Sequence, residues 1–263
     1  MIDSVSLILV MKGVACLLSL PDEILQLNRV ARNLHGEPLF LDVNLSVRRG
    51  ETVAIIGCTP AMSHALDQLL LGQCQPHFGR ILFDGRELTQ TNPRISLIDG
   101  HGRLSGWAST VKNILIKTGH RKREDAFSAL SKINAEPLIQ QSVNQLTVPQ
   151  QLQIKIAHAL VTAPKLLVWD HPFTGLTSED RFERQIRLRF LGRQESLTQI
   201  LMTDDLHEAI HVADRIVLFA HQTVLFEEPG LSLADRENPI KVTQLANRLT
   251  TILNGDTVTF QTP

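Results

Sequence analysis

A five-residue run without a strongly polar side chain, residues 52–56 (Thr-Val-Ala-Ile-Ile), constrains this chain more than any other feature. It sits between a turn, Arg48-Arg49-Gly50-Glu51, and Gly57, and it lacks the alternation of a half-exposed strand. That pattern predicts a strand buried on both faces. Residues 57–63 then form a loop leading into a helix that carries Leu66, Leu69 and Leu70 on one side. The same alternation recurs downstream: a helix over 149–161, a strongly apolar strand over 166–169, a further helix, a strand over 199–203 and a helix over 206–214. Such a rhythm predicts a mostly parallel sheet covered by helices, an α/β fold. Residues 24–30 and 39–47 read as strands. Ile81-Leu82-Phe83 reads as a strand ending in the turn Asp84-Gly85, and 216–219 pairs with 223–226 across His221-Gln222. Residues 88–145 are more polar and variable, with a helix around 123–133, and read as an inserted helical lobe. A final helix over 242–253 places Val242, Leu245, Ala246, Leu249, Ile252 and Leu253 at helical spacing, a docking stripe.

Composition narrows the function classes. At 263 residues, 43% hydrophobic and 20% charged, the chain can bury a real core. A net charge of -1 gives no footprint for bulk nucleic acid, and the absence of tyrosine with only 5% aromatics leaves little surface for stacking bases. Cys16, Cys58 and Cys74 have no metal-ligand spacing and read as thiols in a reducing compartment, the cytosol by default. The apolar stretch over 5–20 is interrupted by Lys12 and preceded by Asp3, which makes a poor signal peptide, and it is too short to span a bilayer. It reads either as a helix lying on a neighbouring surface or as the product of an over-long reading frame.

A strand, a glycine, a short loop and a helix are the setting of a phosphate-binding loop, G-x-x-x-x-G-K-[ST]. Here the loop reads Gly57-Cys58-Thr59-Pro60-Ala61-Met62-Ser63-His64. Over about residues 24–230 the chain resembles the ATPase subunit of ATP-binding-cassette (ABC) transporters, most closely the bacterial type of lipid or organic-solvent resistance transport. Residues 41–47 with Gly50-Glu51 look like that family's lead-in to the loop, and Gly72-Gln73, Pro76, Gly79 and Phe83-Asp84-Gly85 resemble the family's segment after the loop. Gln145-Leu146-Thr147-Val148-Pro149-Gln150 stands in the place of the LSGGQ signature, with Ala157-His158-Ala159-Leu160 after it. Leu166 to Phe173 looks like the second nucleotide motif, and Met202 to Leu206 with Glu208-Ala209 and Ala213-Asp214-Arg215 resembles the switch segment.

The resemblance implies ATP and magnesium as ligands, but the residues that would hold them have changed. In the family a lysine neutralises phosphates, the next Ser or Thr holds magnesium, and glycines let N–H groups approach the anion. At those positions this chain has Ser63 for the lysine, His64 for the magnesium ligand, and Pro60 and Met62 for glycines. Losing a buried charge partner costs roughly 2–5 kcal/mol, about 30- to several-thousand-fold in affinity. Thr147 can mimic the signature serine, whereas Val148 and Pro149 cannot mimic its glycines. Asp170 remains where magnesium is coordinated through water; His171 replaces the catalytic glutamate and Asp204 the switch histidine. Asp99 or Gly100 stands near the place of a magnesium-sensing glutamine, and Leu34 or His35 where an aromatic stacks on adenine. Thr59-Pro60 reads as an N-cap with proline at the first helical position, and Thr147-x-x-Gln150 as a capping box. Each helix is therefore expected to cap itself where a working ATPase leaves its N-terminus open to phosphate.

Other patterns compete. His207-Glu208-Ala209-Ile210-His211 matches H-E-x-x-H, which with Glu227 or Glu228 would make a zinc hydrolase; the family frame instead makes it a solvated helix face. Asp170-His171 with Asp204 invites a triad on Ser63, but no G-x-S-x-G turn accompanies that serine, so a polar remnant is the plainer reading. Lys117, His120, Arg121, Lys122 and Arg123 read as a solvated helix start or a surface for an anionic partner. Trp107 is a core aromatic or a partner contact.

The expectation is a P-loop NTPase-like (RecA-like) ABC ATPase domain over 22–230, with N-terminal antiparallel strands and a small helical subdomain over about 88–160. An N-terminal extension (1–21) and a C-terminal tail (231–263) flank it. The resemblance implies a cytoplasmic subunit, peripheral at the inner face of the cell membrane. It would dimerise with itself or with another ABC ATPase on a membrane-spanning permease, with no nucleic acid. No cofactor is expected in the vestigial site of Gly57, Thr59, Ser63, His64, Thr147 and Asp170, and neither His171 nor Asp204 is expected to be catalytic; the rivals are an active ATPase with unconventional residues and a non-transport interaction protein.

Overall fold

Alternate side chains of the run at 52–56 enter different cores: Val53 and Ile55 point to one side of a sheet, Ala54 and Ile56 to the other. The computed structural model, which describes residues 22–34, 36–116, 118–119 and 122–254, shows how the rest of the chain is built around that strand. In chain order the elements begin β1 (Glu23–Leu34), β2 (Glu37–Arg48), β3 (Thr52–Ile56), α1 (Pro60–Leu70), β4 (Phe78–Phe83), β5 (Arg86–Glu87) and β6 (Ile95–Asp99). Next come α2 (Thr110–Leu115), α3 (Arg123–Ser131), α4 (Val148–Val161), β7 (Leu166–Asp170), α5 (Ser178–Gln194) and β8 (Thr198–Met202). The chain continues through α6 (Leu206–Val212), β9 (Arg215–Ala220), β10 (Thr223–Pro229), α7 (Leu233–Arg236) and α8 (Pro239–Leu253). The extension over 1–21, with its apolar stretch and Cys16, lies outside the described residues, as do His35, Lys117, His120, Arg121 and the end of the tail over 255–263.

Two sheets result. A six-stranded sheet runs β10-β9-β3-β8-β7-β6, parallel throughout except for the β9–β10 hairpin, and a four-stranded antiparallel sheet runs β2-β1-β4-β5. One core lies between the antiparallel sheet, α1 and one face of the parallel sheet, where Val53, Ile55, Val168, Ile200 and Met202 meet Leu66, Leu69 and Leu70. The other lies on the opposite face, where Ala54, Ile56, Leu167, Trp169 and Leu201 meet α4, α5, α6 and α8. The α/β class with antiparallel N-terminal strands and a mostly parallel sheet is therefore as expected. Arg215 ties the layers: its guanidinium donates to Glu51 (2.8 Å) and Glu227 (2.7 Å) and reaches the Ser46 carbonyl of β2.

The segment expected as a small helical lobe over about 88–160 begins with a strand. Residues 95–99 form β6, which pairs with β7 from Ile95↔Leu166 to Asp99↔Asp170, and helical elements run only from Thr110. Ile95-Ser96-Leu97-Ile98-Asp99 is an edge strand, half buried, so its run is short and mixed with polar residues. The tail helix docks within the chain. Val242, Leu245, Ala246 and Leu249 of α8 are buried, and Arg236 of α7 donates to the carbonyls of His211 (3.1 Å), Val212 (3.2 Å) and Ala213 at the end of α6.

Candidate functional site

The site stands at the C-terminal ends of β3, β7 and β8, where loops leave the parallel sheet. β3 ends in Gly57, whose φ of +89° and close approach leave no room for a side chain: a Cβ there would lie 2.3 Å from the Phe219 carbonyl oxygen and 3.5 Å from Leu253 Cδ2 of α8. The chain then enters α1 with Thr59 as N-cap. Thr59 Oγ1 accepts from the Met62 N–H (3.3 Å), the Thr59 carbonyl accepts from the Ser63 N–H (2.9 Å), and Pro60 at the first turn carries no N–H. Met62 is buried in the core beneath. Ser63 Oγ is buried and, among the described residues, has no hydrogen-bond partner, so no base stands ready to activate it. His64 faces solvent and accepts from Gln68 Nε2 (3.1 Å).

β7 delivers Asp170 and then His171, which takes a left-handed φ of +45° in a sharp turn. Gly100 lies against that turn: its N–H donates to the Asp170 carbonyl (2.8 Å), and a Cβ on it would sit 1.9 Å from the His171 carbonyl oxygen. The imidazole of His171 is gripped from both sides. Nδ1 donates to Asp170 Oδ1 (2.7 Å) and Nε2 to Asp204 Oδ2 (3.2 Å), the latter carboxylate supplied from the loop after β8. Chiefly through the hydrogen bond to Asp170, His171 is pushed up to about 9, so at neutral pH it is a cation between two carboxylates. A cation is not a general base. The Asp170, His171 and Asp204 positions singled out in the sequence are therefore brought into direct contact, while Ser63 is not hydrogen-bonded to any of them.

Two further groups belong to this site and carried no sequence motif. Asp67, on the second turn of α1, is buried with Oδ1 unpartnered among the described residues, and burial followed by repulsion from Asp170 and Asp99 pushes it up to about 8. Cys58, buried in the loop itself, is pushed up to about 12 by burial and then by Asp204, Asp170 and Asp67. Asp67 neighbours Leu66 and lies on the buried face marked by Leu66, Leu69 and Leu70. A carboxylate on an apolar stripe was the available signal.

Thr147 makes helix-capping bonds at the head of α4. Its Oγ1 accepts from the Gln150 N–H (3.4 Å) and Gln150 Oε1 accepts from the Thr147 N–H (2.9 Å), a complete capping box. Asp99 and Gly100 offer their carbonyls to Lys155 Nζ (2.8 and 3.0 Å) instead of presenting an amide side chain. Leu34 is exposed at the end of β1.

The H-E-x-x-H helix is α6, and its expected solvated face needs correcting at Glu208. That carboxylate is buried, accepts a hydrogen bond from Thr203 Oγ1 and faces Arg181 (3.4 Å). Burial raises it. His211 Nδ1 bonds the His207 carbonyl (2.7 Å), Glu227 pairs with Arg215 and Glu228 with Arg248 (3.0 Å). Among the described residues no group of three His, Cys, Asp or Glu is arranged to hold a metal ion. Trp107 is 84% exposed, which removes the core-aromatic reading.

Comparison with known proteins agrees with this architecture. The family model for ABC transporters matches residues 40–174, just over half of the chain. The aliphatic sulfonates import ATP-binding protein SsuB of Zymomonas mobilis is 26% identical over 224 residues, covering 85% of this chain and 90% of that protein. Its namesake in Burkholderia thailandensis is 28% identical over 208 residues, which is 79% of this chain and 62% of the relative, so the chain spans less than two thirds of that relative's length. Among solved structures, cbiO1 from Clostridium perfringens, part of the ABC transporter complex cbiONQ, superposes with a TM-score of 0.74 at 23% identity, covering 89% of this chain and 98% of that one. A dimeric ATP-binding cassette in a post-hydrolysis state, bound to ADP and Pi, gives a TM-score of 0.66 at 21% identity, over 80% of this chain and all of that one. The chain belongs to the ABC transporter family, and its fold is that of the family's ATP-binding domain.

Proposed function

We propose that this chain is an ATP-binding-type subunit of a membrane transport complex that keeps the family's scaffold and partner surfaces but has given up the nucleotide. The observation that carries the reading is the closure of α1 by its own residues. In the first turn the Met62 N–H is bonded to the Thr59 side chain and Pro60 carries no N–H, and no lysine stands in the loop. The His171 cation bridges Asp170 and Asp204 where a divalent ion would need Asp170, and Asp67 brings a further carboxyl to a site that should attract anions. On this reading the residues Gly57, Thr59, Ser63, His64, Thr147 and Asp170 do not fit magnesium and a triphosphate, and no step is derived through them.

The subunit then works as a fixed half of a dimer, with itself or with a second ABC ATPase, at the inner face of the cell membrane beneath a membrane-spanning permease. Among the described residues no helix is long and apolar enough to cross a membrane, which leaves translocation to the partner. The exposed Trp107, beside Gly106, supplies an apolar contact for it. Between lipid or solvent-resistance transport and the aliphatic sulfonate import named in the relatives, the alignments favour import. The division proposed is a cassette over 22–230 with a tail whose helices α7 and α8 pack on it.

The test is isothermal titration of magnesium-ATP into the purified protein, alone and with a co-purified permease. No heat of binding is expected at micromolar nucleotide; micromolar affinity would overturn the reading. The retained Asp170 is the observation behind one second reading, an active ATPase with unconventional residues. Phosphate release that disappears in Asp170→Asn would establish it.

A further inference from the structure

On the face of the parallel sheet opposite α1, a cavity of about 350 Å³ opens between the turn after α3, the helix α4 and the helix α5. That size is within the range of small-molecule sites. Its apolar wall is Trp169 of β7, Phe173, Leu152 of α4 and Leu188 of α5. The Trp169 indole N–H is engaged by Gln199 Oε1 (2.9 Å), so the ring offers the cavity only its hydrocarbon surface.

The charged side chains in the wall are all basic: Lys132, Arg184 and Arg187. Lys132 is paired with Glu195 and Arg187 with Glu183 (2.6 Å). Arg184 differs. Its Nε is closed off from solvent and, among the described residues, has no hydrogen-bond partner. A desolvated guanidinium N–H without an acceptor is costly, and an anionic oxygen is the group that best removes the cost. An apolar hollow whose charged lining is basic throughout, with one guanidinium Nε lacking an acceptor among the described residues, is complementary to a molecule that is apolar along its length and anionic at one end.

We propose that this cavity is a ligand site for a small amphipathic monoanion, a medium-chain alkyl carboxylate or its equivalent, with the chain on Trp169 and Leu188 and the headgroup on Arg184. The site is independent of the nucleotide loop and of the reading given to it. Its walls come from both sides of a seam: Lys132 and Leu152 lie on the helical lobe, Trp169 and Leu188 on the core. An occupant therefore ties the two together. Trp169 also immediately precedes Asp170 and lies two residues before His171, so the occupant packs beneath the turn that carries the charged cluster.

The experiment uses full-length protein carrying Trp107→Phe, which leaves Trp169 as the single tryptophan of a chain that has two. Decanoate, kept below its micelle-forming concentration, is titrated while Trp169 fluorescence is followed, with decanol and acetate as comparison ligands. Saturable binding of decanoate is expected, weakened about tenfold or more in Arg184→Gln and for decanol, and not detectable for acetate. Gln153→Phe, which narrows the cavity from α4, should remove the response, and a thermal melt of each variant verifies that it is folded. The proposal fails if decanoate gives no saturable change. It also fails if decanol, folded Arg184→Gln or folded Gln153→Phe matches the response of decanoate with the parent protein.

Discussion

Asp67 gives the sharpest test of the electrostatics beneath the loop after β3. Its carboxyl titrates at 3.8 in a free side chain and at about 8 in the folded protein. Between those values the native state holds a proton that the unfolded chain has released, so the contribution of Asp67 to stability falls as pH rises from about 4 to about 8 and is level above that. From pH 5 to pH 8 the interval is about 3 units, each worth ~1.4 kcal/mol, or roughly 4 kcal/mol. Relaxation and water around a buried carboxyl lower the cost of ionising it, and half of that figure leaves about 2 kcal/mol. For a domain of this size that is about 4–8 °C in melting temperature. Asp67→Asn keeps the shape and removes the ionisation. Scanning calorimetry of both proteins at pH 5 and pH 9 should therefore show the variant gaining on the parent by that amount. A gap that is the same at both pH values, or that closes at pH 9, would refute a buried carboxyl repelled by its neighbours.

Other consequences are checked as directly. NMR titration of the His171 imidazole should give a midpoint near 9, falling toward 6.5 in Asp170→Asn; because the folded value is raised, the stabilisation His171 provides is complete below about 6.5 and is lost as pH rises through about 9. Replacing Thr147 and Gln150 together by alanine removes the capping box and should lower the melting temperature by about 2–4 °C, for a loss of about 1 kcal/mol; an unchanged melt would show that the box does not stabilise α4. Gly57→Ala drives a methyl into the Phe219 carbonyl at a left-handed φ and should cost about 1–3 kcal/mol, read by urea denaturation.

The parts of the fold legible in the sequence were those with one strong local signal. β3 could be read because both of its faces are buried, and α8 because its stripe repeats at helical spacing. β6 could not: at the edge of the sheet it mixes Ser96 and Asp99 with its apolar residues, and only pairing with β7 makes it a strand. In the site, the caps at Thr59 and Thr147 were visible because capping is a contact within four residues, and both geometries are present. The contact of His171 with Asp204 spans 33 positions and needed the sheet to bring β7 beside β8. Glu208 misled for a related reason. A glutamate between two histidines on a short helix looks solvated until Thr203 and Arg181 close around it.

Because the first turns of α1 and α4 are held by threonine and glutamine side chains belonging to the same segments, the free energy that secures them is present whether adenylate pools are full or empty. Starvation that strips ligand from a conventional cassette would leave these two turns unchanged. On the proposed reading, a permease above this subunit would meet two helix starts whose order does not vary with the energy charge of the cell.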